Sequence, residues 1–195
     1  MVHGGARREK RKIALLGPAA SIARMLISKN MNAAINRQIC YEFSAMLQYV
    51  AIASHFVGES LHELAAHFYR QAEEERDHAM RFIKYVLDAG GHVEINDVPA
   101  PQNQFTSAEE AVKLSLDQEK KVTEQINGLV EAAIKEKDYI TQNALTWFVN
   151  EQLEEVSSME KLLKIVQLAG PKNLLYVEDY LARHKTGSAG AISRS

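Results

Sequence analysis

Apolar residues recur along most of this chain at alternating steps of three and four, the spacing that lines one face of a helix. Ile35, Ile39, Met46, Tyr49, Ala53 and Phe56 make one such seam and predict a first helix over 29–57, stopped by Gly58. A second seam, Leu61, Leu64, Phe68, Phe82 and Tyr85, runs until Gly90-Gly91. His92–Phe105 has no period and contains Pro99 and Pro101, so it reads as a long crossover. Thr106 with Glu109, or Ser107 with Glu110, then offers a capping box for a third helix through Val112, Leu116, Ile126, Val130 and Ala133. After a polar corner at Lys135–Asp138, a fourth seam of Leu145, Phe148, Met159, Leu162 and Val166 closes at Gly170-Pro171. Lys172–His184 predicts a short fifth helix. Two short turns around one long connection describe an all-α four-helix bundle with a long second-to-third crossover.

Charge interrupts every seam near its middle. Glu42, Glu75 with His78, Glu119 and Glu155 all stand in register with the apolar residues on either side of them. An unpaired buried carboxylate is costly, and helices packed side by side bring their midpoints to one height. Four such groups at one level therefore call for a shared cation. Carboxylates with one imidazole and no thiolate suit iron or manganese; several two-oxygen carboxylates can hold a pair of divalent ions, Glu75 being the natural bridge.

Composition narrows the setting. The chain has 195 residues, is 46% hydrophobic and has a formal net charge of −2, which suits one domain with a substantial core. Its single cysteine, Cys40, excludes an intrachain disulfide framework or a Cys-cluster metal site. No apolar run reaches a membrane span. Residues 1–24 hold six Lys/Arg and one Glu, against seventeen and twenty-four in 25–195. The acidic remainder offers no nucleic-acid footprint. The expected division is a basic extension over 1–27, a folded domain over 28–184 and a Gly/Ser-rich flexible tail over 185–195. The short Ile13–Leu16 run is too brief for a secretory signal, so a cytoplasmic location is expected.

Five blocks then resemble the non-haem bacterial ferritins, a ferritin-like di-iron family, over residues 25–184: Met25–Lys29, Gln38–Tyr49, Gln71–His78, Leu116–Glu119 and Trp147–Glu155. The resemblance implies Glu42, Glu75 and His78 around a first iron, with Glu75 bridging, and Glu119 and Glu155 around a second. Gln152 matches a polar residue beside that centre, while Glu74, Glu151 and Glu154 match, with Glu155, a third iron site. Tyr49 and Trp147 match aromatics beside the centre that supply extra electrons. A ferroxidase follows, oxidising iron(II) with dioxygen or peroxide and storing ferric mineral in a cage of twenty-four subunits.

Without the resemblance, Glu74, Glu151 and Glu154 read as solvated helix charges and Tyr49 and Trp147 as packing residues. His55, His62 and His67 have a cluster-like spacing but no carboxylate seam behind them, and are expected at the surface. Arg76 stands where bacterioferritin has a haem-ligating methionine, and a guanidinium cannot ligate iron; haem is not expected. Gln152-Leu-Glu-Glu155 replaces a second Glu-x-x-His, leaving one histidine at the centre. The alternative function is a soluble di-iron oxidase or peroxidase without storage.

Overall fold

In the computed structural model, residues 25–184 are described; the basic segment 1–24 and the tail 185–195 lie outside them. Five helices follow in order: α1 (Lys29–Gly58), α2 (His62–Asp88), α3 (Ala108–Glu136), α4 (Tyr139–Ala169) and α5 (Leu174–Arg183). None is long and apolar enough to cross a membrane. The fold starts slightly before residue 28, because Ile27 is buried and Leu26 N donates to Ala89 O at 2.8 Å.

Local chemistry accounts for most helix ends. Ser28 Oγ accepts from Met31 N at 2.9 Å, Ser107 Oγ from Glu110 N at 3.1 Å and Asp138 Oδ1 from Thr141 N at 3.0 Å, each satisfying a donor that helix geometry leaves open. Of the two candidate caps, Ser107 is the one used, and Glu110 reaches back one residue further, accepting from Thr106 N at 2.7 Å. Lys137 takes the left-handed conformation (φ 57°) that ends α3.

The α2 N-terminus has no side-chain cap of its own. Glu178 of α5 supplies one, accepting from Glu63 N at 2.7 Å and Leu64 N at 2.8 Å, while Val177 beside it is buried in the core. Two charged hydrogen bonds thus fasten α5 to the bundle. Glu178→Ala is expected to lower stability by about 1–2 kcal/mol per subunit, read as a fall in thermal midpoint, with partial recovery in Glu178→Gln. An unchanged midpoint would show that α5 is held by the apolar contacts of Leu174, Val177 and Leu181 instead.

The apolar residues form two separate cores. One gathers Ile52, Phe56, Leu64, Phe68, Val112, Leu162 and Val166; the other gathers Ile35, Ile39, Phe82, Val86, Ile126, Leu145 and Phe148. The order in which each helix visits them makes α2 antiparallel to α1 and parallel to α3. The crossover therefore travels the bundle's length, held to α1 by amides: Asn32 and Asn36 Nδ2 donate to His92 O at 3.0 and 2.8 Å, and Gln48 Nε2 donates to Gln102 O at 2.9 Å. A Cβ on Gly91, where the crossover begins, would lie 2.3 Å from Asn32 Oδ1 and displace the side chain that accepts from His92 N.

Candidate metal centre

Between the two cores lies a layer of buried polar groups at one height, containing one residue or pair from each long helix. Glu42, Glu75, His78 and Glu119 are almost completely buried, and Glu155 is 9% exposed. Two sets of potential ligand atoms lie within 4.8 Å of one another: Glu42, Glu75 and His78, and Glu75, Glu119 and Glu155. Glu75 belongs to both. It sits between the sets as a carboxylate shared by two neighbouring ions must.

Protein groups satisfy only part of this layer. Gln38 Nε2 donates to Glu42 Oε1 at 2.9 Å, Tyr49 OH makes a short bond to Glu119 Oε1, and Gln152 Nε2 makes a short bond to Glu155 Oε2. Glu42 Oε2, Glu75 Oε2 and Glu119 Oε2 have no hydrogen-bond partner. His78 stands 3.5 Å from both Glu75 and Glu155, too far for a good hydrogen bond. Buried polar atoms are normally paired, so three orphaned carboxylate oxygens facing one pocket fit a cation there.

The electrostatics point the same way. Burial raises the Glu42 carboxyl to about 7, partly opposed by hydrogen bonds from Glu75 and Gln38. Burial, and then the neighbouring carboxylates led by Glu119, holds Glu75 and Glu155 well above the ordinary range. Burial also raises Glu119, against the bonds from Tyr49 and Gln152. His78 is lowered to about 4, again chiefly by burial, so its imidazole is neutral at pH 7 and free to donate a lone pair. Tyr49 is fully buried and its phenol is raised well above 10 by burial and by Glu119.

The remaining candidates lie around this layer. Trp147 is half-buried, edge-on to His78 with ring centroids 5.3 Å apart, and Arg81 lies 3.8 Å over its face. Gln152 Oε1 accepts from Thr123 Oγ1 at 2.8 Å, so the amide oxygen is turned from the carboxylates and the nitrogen toward them. Glu74 and Glu154 are exposed and Glu151 is half-buried, and none belongs to either close ligand set. Partial burial raises Glu74 and Glu151, with Glu151 acting on Glu74 and Glu154 on Glu151. Arg76 is exposed and paired with Glu73 and Asp77, each at 3.0 Å.

Two of the three histidines expected at the surface are not there. His62 is exposed, but His55 is half-buried against Phe105 and Phe56, with ring centroids 5.2 and 5.6 Å away. His67 is also half-buried, packs edge-on to Phe68 and has an Nε2 with no partner; burial, then Arg70, lowers it to about 4. The crossover covers His55 with Phe105, a contact no local period reveals. Gln38, Thr123 and Arg81 belong to the site's surroundings although none is a candidate ligand; Gln38 and Thr123 lie four residues from Glu42 and Glu119, on the same helix faces.

Four antiparallel and parallel helices carrying buried carboxylates at mid-height define a carboxylate-rich metal-binding bundle. Residues 32–169 match the family described as Ferritin-like domain, and the chain belongs to that family. It is 44% identical to Ferritin BfrB of Mycolicibacterium smegmatis over 165 residues, covering 85% of this chain and 90% of that one. It is 38% identical to the bacterial non-heme ferritin of Staphylococcus aureus, covering 78% and 92%. Among solved structures, an open pore ferritin from the archaeon Archaeoglobus fulgidus superposes with a TM-score of 0.78 at 34% identity, over 81% of this chain and 98% of that one.

Proposed function

We propose that this chain is an iron-storage ferroxidase, with iron as substrate and cargo. The observation that carries the reading is Glu75 shared between two close ligand sets, with an orphaned oxygen in each. Glu42, Glu75 and His78 hold one iron(II), and Glu75, Glu119 and Glu155 hold the second. The hard oxygen donors and single imidazole suit iron. Two adjacent iron(II) ions each give up one electron, and dioxygen takes both with two protons to become hydrogen peroxide. The four carboxylates stabilise the added positive charge of the ferric products, and the dry cores on either side keep their field unscreened.

Tyr49 stays protonated beside Glu119 and is placed to give one further electron to peroxide still held at the centre, with its proton passing to that carboxylate. Trp147, edge-on to His78, is a further candidate donor, but the Arg81 cation over its ring disfavours its oxidation. Glu74, Glu151 and Glu154 form the acidic approach to Glu155 and the proposed third iron site. The ferric product passes into a hollow shell of copies, twenty-four by the resemblance to the non-haem bacterial ferritins. The protein works in the cytoplasm, without haem.

Anaerobic iron(II) titration tests the centre directly. Trp147 is the chain's only tryptophan and touches His78, so its fluorescence reports filling of that ligand set. Two to three ions per subunit are expected, with quenching complete by the second; saturation at one removes the paired site. Particle mass and electron-dense cores after aerobic loading separate storage from a dimeric, substrate-dependent oxidase. Glu154→Ala is expected to change the ratio of iron to oxygen consumed while the rapid first phase survives; loss of that phase would place Glu154 at the paired site instead.

A further inference from the structure

Around α4, the approach to the centre has two unlike sides. Steps of roughly 100° per residue set Glu154 and Glu151 on one flank of Glu155, and Gln152, Val156, Val149 and Leu153 in turn on the other. On that second side a groove of about 220 Å³ opens between α3 and α4, lined chiefly by Ile126, Val149, Leu153 and Val156. Its lining contains no charged side chain. Val149 and Leu153 are exposed at its mouth, whereas Gln152, 3% exposed, stands at its inner end and bonds directly to Glu155.

We propose that this groove admits dioxygen to the carboxylate pocket, with the Gln152–Thr123 pair as the inner partition. The inference rests on the ferroxidase reading and adds the route of the second substrate. Hydrated iron(II) would surrender water ligands in the groove and find no charged replacement, a heavy cost; dioxygen is apolar and loses nothing by leaving water. The acidic flank at Glu151 and Glu154 offers a cation the reverse conditions. One helix thus separates the paths of the two reactants.

The partition is held by side-chain bonds alone, to Thr123 on one side and Glu155 on the other. Thr123 Oγ1 lies 2.8 Å from Glu119 O and 2.8 Å from Gln152 Oε1, and its one hydroxyl hydrogen cannot serve both acceptors fully. The bond to Glu119 O closes onto the same helix and is kept; the bond to the Gln152 amide is the one that yields. Turning Gln152 aside breaks this bond and its own Nε2 bond to Glu155, both between side chains, and costs α3 and α4 no backbone hydrogen bond.

Narrowing the groove tests the port. In the assembled protein, Val156→Phe and, at the exposed mouth, Val149→Phe are expected to lower the dependence of the fast phase on dioxygen concentration by about tenfold. Anaerobic iron(II) stoichiometry and the rate with hydrogen peroxide, a hydrogen-bonding oxidant suited to the polar flank, are expected to stay at wild-type values. Metal-free crystals under xenon pressure give a readout independent of iron: xenon density against Ile126 in the wild type, absent in Val156→Phe. An undiminished oxygen dependence in a variant that excludes xenon overturns the port. So does an equal loss with oxygen and peroxide, which indicates damage to the centre. Should the wild type take up xenon but bind no iron pair, the ferroxidase reading itself fails and the port with it; should Val156→Phe not fold, Val149→Phe carries the test.

Discussion

Glu75→Gln is expected to slow the fast oxidation of iron(II) by a hundredfold or more, equivalent to about 3 kcal/mol of lost stabilisation. Glu75 is the one residue common to both close ligand sets, so the amide removes the only negative charge facing both ions at once. The side chain keeps its size, and the metal-free bundle loses one of four mutually repelling carboxylates; folding is expected to be undiminished and thermal stability at pH 8 higher than wild type. Stopped-flow absorbance after mixing the iron(II)-loaded variant with oxygen measures the first effect and calorimetry the second. A wild-type rate in the variant would move the ferroxidase centre elsewhere.

Metal-free protein is expected to lose stability as pH rises from about 4.5 through about 7. Burial raises Glu42 from 4.5 to about 7 in the folded chain. The folded state therefore holds a proton that the unfolded state has released, and the stability linked to it is complete below the unfolded value and gone above the folded one. The shift amounts to about 3 kcal/mol per subunit for Glu42 alone, or roughly 5–10 °C in thermal midpoint. Glu75, Glu119 and Glu155 move in the same direction. A bound divalent cation favours the ionised carboxylates and reverses the slope. Calorimetry of chelator-treated protein at pH 5.5 and pH 8, with and without zinc(II), measures both arms; a metal-free midpoint that climbs with pH contradicts the burial argument.

The helices and the acidic layer were legible in the chain because both follow from local periodicity. Glu42, Glu75, Glu119 and Glu155 announce themselves by standing where Leu or Ile belongs, and equal helix lengths bring them to one height. What period cannot show is a partner far away in sequence. The cap of α2 comes from Glu178, 115 residues after Glu63, and nothing in Leu61-His62-Glu63 hints at it. Asn32, Asn36 and Gln48 look like ordinary polar positions of α1, yet they carry the crossover. His55 reads as solvent-facing until Phe105 is laid over it. The carboxylates proposed for a third site fall between these cases: Glu74, Glu151 and Glu154 are on neighbouring surfaces, but their spacing alone does not distinguish a cation path from hydrated charge.

The division of the apolar interior into two cores also bears on how such a scaffold can change. Each half has its own apolar contacts between helices, with Phe82 stacked on Phe148 at 3.8 Å on one side and Phe56 and Phe68 grouped with Tyr49 on the other. Substitutions at the waist therefore alter chemistry while the masonry above and below stays standing. A bundle arranged in this way is a socket: its donors sit apart from the residues of the two apolar clusters, so one can be exchanged while those clusters keep their own contacts.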